Sequence, residues 1–346
     1  MDWEKIKEVI NKVTKGCGCM SISFIALLFA VALCTDDDEN KDDSDDAEKT
    51  EQTDKAEKKD SVIVNEPLQG DPYKELDDLI GLGEVKKEVR SLANFVKLQK
   101  QREAKGLKTA KVSYHLVFYG SPGTGKTTVA RIIGRIYKDL GVLKKGHTVE
   151  TDRSGLVAKY MGQTAQKTDT VVQQAIHGVL FIDEAYSLVP EDGNGSDYGQ
   201  EAISTLLKRM EDYRDSLVVI IAGYKNEMQR FIDSNPGLQS RFNRYIDFPD
   251  YTADELTRIF KMYMKKNQYT LAPDAEAYLK ERFDYAVKHK DRNFGNARYA
   301  RNVFEKSIQQ QANRLEGKTN LSKEELTELT VADLQEGFAA KTNIGK

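Results

Sequence analysis

Eight consecutive residues carry the clearest chemical signal in the chain. Gly120-Ser121-Pro122-Gly123-Thr124-Gly125-Lys126-Thr127 satisfies the pattern G-x-x-x-x-G-K-[ST] at every fixed position. Its glycines let backbone N–H groups turn inward and approach phosphate oxygens, and a helix starting at the loop's end adds favourable dipole charge. Lys126 is expected to reach the β- and γ-phosphates of ATP, and Thr127 to offer a hydroxyl to Mg²⁺, with Thr128 continuing the cradle. A second signal is Val179-Leu180-Phe181-Ile182-Asp183-Glu184, an apolar run ending in two carboxylates. Carboxylates often follow strands. Downstream of a complete phosphate loop, Asp183 reads as a Mg²⁺ holder, directly or through water, and Glu184 as the base that polarises an attacking water.

These residues need a scaffold, and the pattern supplies one. His115–Tyr119 reads as a strand before the loop and Thr128–Tyr137 as a helix after it. Further β-rich runs fall at Thr148–Thr151, Val179–Ile182, Leu217–Ala222 and Tyr245–Phe248, separated by helical stretches. Strands alternating with helices imply βαβ units and a mainly parallel sheet, so residues 71–250 are expected to form an α/β subdomain. After Asp250 the β-rich runs stop, and helical patterns at 253–266, 274–289 and 296–314 predict an all-α subdomain over 251–346. Beyond Lys318 a closing helix is expected, with Glu324, Glu325 and Asp333 on exposed faces.

With Leu217–Tyr224 and Arg241, these two motifs resemble the AAA+ ATPases over roughly residues 74–335, and within them the CbxX/CfqX family. The matching text includes Leu79-Ile80-Gly81-Leu82, Lys159-Tyr160-Met161-Gly162-Gln163-Thr164, Asp183-Glu184-Ala185-Tyr186, Asn235-Pro236-Gly237-Leu238 with Ser240-Arg241-Phe242, and Gly295-Asn296-Ala297-Arg298. The resemblance implies a P-loop AAA+ fold with a small helical lid, Mg-dependent ATP hydrolysis, assembly into a homo-oligomeric ring, expected to be a hexamer, and a protein substrate. It assigns Leu79, Ile80 and Gly81 to the segment against adenine, and Tyr160, Met161 and Gly162 to a loop in the ring's pore. Physically, Tyr160 gives a sequence-tolerant apolar grip and Gly162 permits movement, the competing reading being a core aromatic. Arg241 corresponds to the arginine finger that completes a neighbouring subunit's site, with Arg244 a second candidate and a surface ion pair the alternative for either. Arg298 corresponds to the lid arginine that reaches the γ-phosphate, and Arg301 could substitute. One position departs from the wider superfamily: Ala222-Gly223-Tyr224 stands where a polar residue usually follows the fourth strand.

The N-terminus has a different composition. Residues 1–15 read as an amphipathic helix, with Trp3, Ile6, Ile10 and Val13 on one face, suited to a membrane interface or to packing on the protein itself. From Gly16 to Thr35 no residue is charged. Twenty residues at ~1.5 Å each span roughly 30 Å, a bilayer's hydrocarbon thickness, so a transmembrane helix is the favoured reading. A cleaved secretory signal competes, with Ala30-Val31-Ala32 as its small-x-small site, and an interfacial hairpin is the third option. Between Thr35 and Asp60 there are 13 Asp/Glu against 5 Lys. Such a segment buries too little to offset its ordering entropy, so residues 36–70 are expected to be a disordered acidic linker reaching roughly 30–35 Å. Lys5, Lys7, Lys12 and Lys15 precede the apolar run, a charge bias that would place the rest of the chain outside the cell. The need for ATP outweighs that statistical tendency, and a cytoplasmic ATPase domain anchored to a membrane is expected.

Composition narrows the alternatives. A net charge of −3 and an aromatic rather than Arg-rich pore motif argue against a nucleic-acid partner. Three cysteines, Cys17, Cys19 and Cys34, all lie in or beside the apolar run and form no disulfide framework. His115, His147, His177 and His289 lack metal-ligand spacing. A membrane scaffold that binds nucleotide, assembles and recruits partners with little turnover remains as the second functional class.

Overall fold

Runs such as Leu116–Tyr119 and Val179–Ile182 have no polar face, so they belong in a sheet covered on both sides. The computed structural model of the chain describes residues 62–109, 113–160, 162–189 and 198–339. The expected amphipathic helix, the apolar segment 16–35, the linker up to residue 61 and Met161 of the expected pore loop lie outside the described residues. Strands β1 (Val62–Asn65), β2 (Leu116–Tyr119), β3 (Thr148–Thr151), β4 (Val179–Ile182), β5 (Val218–Gly223) and β6 (Tyr245–Asp247) form one sheet in the order β1-β3-β4-β5-β2-β6. All neighbours pair in parallel except β1 and β3. β2, β4 and β5 are buried along their whole length.

Alternate side chains of these strands feed two apolar layers. Phe118, Phe181 and Ile220 face helices α1 (Pro72–Asp78), α2 (Gly83–Ala104) and α3 (Lys126–Asp139). Val117, Leu180 and Val219 face α4 (Arg153–Leu156), α5 (Thr164–Ala175), α6 (Tyr198–Asp212), α7 (Lys225–Asp233) and α8 (Pro236–Arg241). Parallel register puts Tyr119 opposite Gly223 and Ile182 opposite Ile221, so the segments after β2, β4 and β5 leave the sheet at one edge. Ligands in open α/β sheets bind at that carboxyl edge.

The second subdomain contains α9 (Ala253–Lys266), α10 (Ala275–Lys288), α11 (Asn296–Leu315), α12 (Lys323–Thr327) and α13 (Val331–Ala339). A capping box of Thr252 and Glu255 starts α9. Phe260 packs edge-on against Phe304 with ring centroids 5.6 Å apart, and Phe283 against Phe338 at 5.4 Å. These aromatics continue the apolar layer of the α1–α3 face, so the two subdomains share one core.

Three expectations are corrected here. Ordered structure begins before residue 71: Val62–Asn65 pair antiparallel with β3, where backbone hydrogen bonds give the end of the acidic segment a place in the sheet. The lid is not purely helical. β7 (Thr270–Leu271) pairs in parallel with β8 (Glu328–Leu329), too short a ladder to produce a readable alternation. Asp333 is buried rather than exposed, accepting from Arg314 at 2.9 Å and from the Thr330 N–H and hydroxyl at 2.9 Å each.

Burial works against the Asp333 charge, but hydrogen bonds from Arg314 and Thr330 outweigh it and hold the carboxyl below its ordinary range. Because the folded value lies below the unfolded one, the carboxylate stabilises the fold above the unfolded value. That contribution disappears as pH falls through the folded value. Asp333→Asn is expected to lower stability by about 3 kcal/mol at pH 7, measured by urea unfolding. The gap to the parent should narrow below about pH 4.

Candidate nucleotide site

The phosphate loop joins β2 to α3. Gly123 and Gly125 adopt left-handed backbone angles, φ 74° and 97°, that disfavour a side chain. Gly123 also has no room for one, since a Cβ there would lie 2.1 Å from the Gly295 carbonyl oxygen of the lid. Thr124 ties the loop by donating its hydroxyl to the Ser121 carbonyl at 2.9 Å. Lys126 is buried at the first turn of α3, and its ammonium donates to the Gly120 and Ser121 carbonyls at 2.8 and 2.9 Å. Burial lowers the Lys126 pKa, and the nearby Asp183 and Glu184 carboxylates oppose that shift.

Asp183 and Glu184 follow β4 directly. The Asp183 N–H donates to the Thr151 carbonyl at 2.9 Å, extending the ladder by one residue. Glu184 then breaks from the sheet with φ 47°, an unusual angle for a non-glycine residue. Its N–H is taken by Asp183 Oδ1 at 3.1 Å and its carbonyl by the Ser187 N–H at 2.8 Å. These bonds hold the reversal that turns Glu184 toward the loop rather than along the strand.

A cleft of about 320 Å³ brings most of the expected residues together. Gly120, Pro122, Gly123, Gly125, Lys126, Thr127, Thr128, Asp183, Glu184 and Arg298 all line it. Ser121 and Thr124 belong to the same loop and act on its backbone. A threonine hydroxyl and one carboxylate facing the same space suit Mg²⁺, which keeps waters and phosphate oxygens as its other ligands. Arg301 also lines the cleft, but it pairs with Glu305 at 2.7 Å on its own helix.

Other expected residues lie elsewhere. Leu79 and Ile80 are half-buried against the core. Gly81 sits against Glu255 and Tyr251 at the start of the lid, while the next residue, Leu82, reaches Gly125. Arg241 lies at the end of α8 in a separate cleft, 3.5 Å from Glu211, with its Nε buried and without a hydrogen-bond partner among the described residues. The Arg244 guanidinium lies over the Phe95 ring at 4.9 Å. Tyr160 is 69% exposed, which removes the core-aromatic reading, and Gly162 has φ 77°.

The residue that joins loop and lid is Asn296, which the sequence showed only as part of the block Gly295-Asn296-Ala297-Arg298, with no role assigned. Asn296 is fully buried with φ 48°. Its amide donates to Asp250 Oδ1 at 2.9 Å, to the Phe294 carbonyl at 3.1 Å and to the Pro122 carbonyl at 3.3 Å, and it accepts the Tyr251 N–H at 2.9 Å. Burial would raise the Asp250 pKa, but hydrogen bonds from Lys290, Asn296 and Ser121 hold it below the ordinary carboxylate range. The Tyr251 hydroxyl donates to the Thr124 carbonyl at 3.2 Å. Besides that block, the local signal was an asparagine after a glycine, since asparagine tolerates left-handed backbone. Asn296→Gly keeps that backbone and removes every one of these side-chain bonds. It is expected to raise the KM for ATP about tenfold, measured by steady-state ATPase titration.

Comparison with known proteins agrees with this geometry. The AAA family, ATPase family associated with various cellular activities, matches residues 116–250, and the AAA lid domain matches residues 252–344. The chain is 45% identical over 246 residues to stage V sporulation protein K of Bacillus subtilis (strain 168), covering 70% of this chain and 75% of that protein. It is 46% identical over 243 residues to protein CfxQ of Xanthobacter flavus, covering 70% and 75%. It is also 46% identical over 242 residues to the chloroplastic ribulose bisphosphate carboxylase/oxygenase activase of Cyanidioschyzon merolae (strain NIES-3377 / 10D), covering 69% and 80%. Among solved structures, the FIGL-1 AAA domain in complex with ADP shares the fold at TM-score 0.56 and 17% identity, over 81% of this chain and 86% of that one. With a complete phosphate loop, an Asp-Glu pair and a lid arginine on one cleft, the chain belongs to the AAA+ ATPases of the CbxX/CfqX type and hydrolyses ATP.

Proposed function

We propose that this ATPase works as a homo-oligomeric ring, a hexamer, that uses Mg-dependent ATP hydrolysis to pull a protein substrate through its pore. The observation that carries this reading is the division of labour between two clefts. Lys126, Thr127, Asp183, Glu184 and Arg298 line the nucleotide cleft, whereas Arg241 lines another and does not complete its own site. A second subunit would bring Arg241 to its neighbour's γ-phosphate. Thr127 and Asp183 would hold Mg²⁺, whose charge offsets that developing on the phosphates. Glu184 takes the proton of the attacking water, Lys126 and Arg298 hold phosphate oxygens, and Leu79, Ile80 and Gly81 flank the adenine. Tyr160 and Gly162, exposed on the loop between α4 and α5, with Met161 between them in sequence, grip the substrate.

Membrane tethering of a cytoplasmic ATPase domain through residues 16–35 is part of the same proposal, supported by twenty uncharged residues followed by a long acidic segment. Among the described residues, no helix is long and apolar enough to cross a membrane. That same tether favours the second reading, a nucleotide-dependent scaffold, which would keep its function in Glu184→Gln and lose it in Lys126→Ala.

Glu184→Gln is expected to retain ATP binding and lose turnover by at least about 100-fold in a phosphate-release assay. Unchanged turnover would remove Glu184 from the mechanism. Arg241→Ala should also be inactive alone. Mixed with Glu184→Gln subunits it should regain part of the activity, because each defect then meets an intact partner. No recovery on mixing would contradict a site shared between subunits. Tyr160→Ala should leave basal ATP turnover within about twofold and abolish substrate-stimulated turnover, since the ring lies outside the nucleotide cleft.

A further inference from the structure

β5 delivers no small polar side chain to the nucleotide cleft. Ala222 and Gly223 end the strand, and Lys225 turns away to Asp247 at 3.3 Å. The residue that lines the cleft after Gly223 is Tyr224, whose side chain carries a phenol. Its surroundings connect two parts of the site. On one side stands Tyr186, from the turn that follows Glu184, with ring centroids 6.4 Å apart. Gly223 permits this approach, because a Cβ there would lie 2.8 Å from the Tyr186 ring. On the other side the lid holds Tyr224 twice. Arg292 places its guanidinium 4.8 Å from the ring centroid while pairing with Glu227, and Asn293 Oδ1 accepts the Tyr224 hydroxyl at 3.2 Å. Asn293 belongs to a turn closed by Asp291, whose carboxylate accepts the Asn293 N–H at 2.9 Å. That turn runs directly into Gly295-Asn296-Ala297-Arg298, the lid segment against the phosphate loop.

We propose that Tyr224 is a positioning residue for hydrolysis, its hydroxyl fastening the lid turn at Asn293 so that Arg298 and Glu184 face the same phosphate. The inference rests on the proposed roles of Glu184 and Arg298. Burial raises the Tyr224 pKa, and the neighbouring Glu184 carboxylate raises it further against the opposing Arg292. The phenol therefore stays a neutral donor at physiological pH. A hydroxyl held this way costs little to reorganise at the moment of reaction, since its direction is set by the lid and its ring by Tyr186 and Arg292.

The test is steady-state ATP hydrolysis by the full chain. Tyr224→Phe retains the ring and its contacts with Tyr186 and Arg292, and lacks the hydroxyl alone. It is expected to lower kcat about tenfold with the KM for ATP and the affinity for ADP within about twofold. Asn293→Ala should give the same fall, and the double variant should be no slower than either single one. A kcat unchanged in Tyr224→Phe overturns the inference, because a residue that merely packs would show that result. Effects that multiply in the double variant overturn it too, since the hydroxyl would then act by another route. Glu184→Gln separates the two levels. If it still turns over ATP, the assignment of Glu184 fails and this inference with it. If it is inactive while Tyr224→Phe is unimpaired, the inference alone fails.

Discussion

The structure depends on a backbone contact between the phosphate loop and the lid. The Gly123 carbonyl accepts the Ala297 N–H at 3.1 Å, and the Gly295 carbonyl occupies the space a Gly123 side chain would need. Such an approach is open only because residue 123 has no side chain, since a Cβ there would collide with the lid backbone. It requires the left-handed turn at Asn296, and the amide of that residue offsets the local strain by bonding three carbonyl or carboxylate oxygens and one N–H. Arg298 lies two residues further on, so the same contact that seats the lid also brings its arginine to the cleft. The lid and the phosphate loop are therefore held together directly by this contact.

Electrostatics within the cleft follow from that closure. Lys126 is buried where an isolated ammonium would be costly, and two loop carbonyls together with Asp183 and Glu184 compensate it. These partners are ones that phosphate oxygens can replace or complement. The cleft is thus matched to an anion bearing a cation, with carboxylates on the β4 side and cationic groups from α3 and α11 around them. Glu184 reaches this space only because the chain reverses immediately after β4. The parallel register brings the reversal beside the phosphate loop instead of leaving it at the opposite edge of the sheet.

Much of this was legible in the chain. Five of the six strands in the main sheet coincide with the β-rich runs to within a residue at each end, because buried parallel strands are apolar throughout. The lid helices at Ala253–Lys266 and Asn296–Leu315 were likewise visible from their helical patterns. β1 was not legible, since it follows a strongly charged segment and pairs by backbone hydrogen bonds with exposed Ile63 and Val64 side chains. Asp333 was misplaced because a helix-end carboxylate usually faces water. Its burial depends on Arg314, a residue of a different helix.

By itself the sequence determined the local chemistry: a glycine-rich turn before a helix and a buried strand ending in two carboxylates. These are requirements on backbone angle, hydrogen-bonding groups and burial within a few residues, so spacing alone reveals them, whereas the exposure of Tyr160 was decided by the fold. The tertiary structure decided which distant residues meet. It placed Arg298 with Lys126 and Glu184, set Arg241 apart from them, seated Asn296 under the phosphate loop and joined Tyr224 to Asn293. Those relations span long stretches of chain and depend on sheet register and on the angle of the lid, quantities that no local pattern encodes.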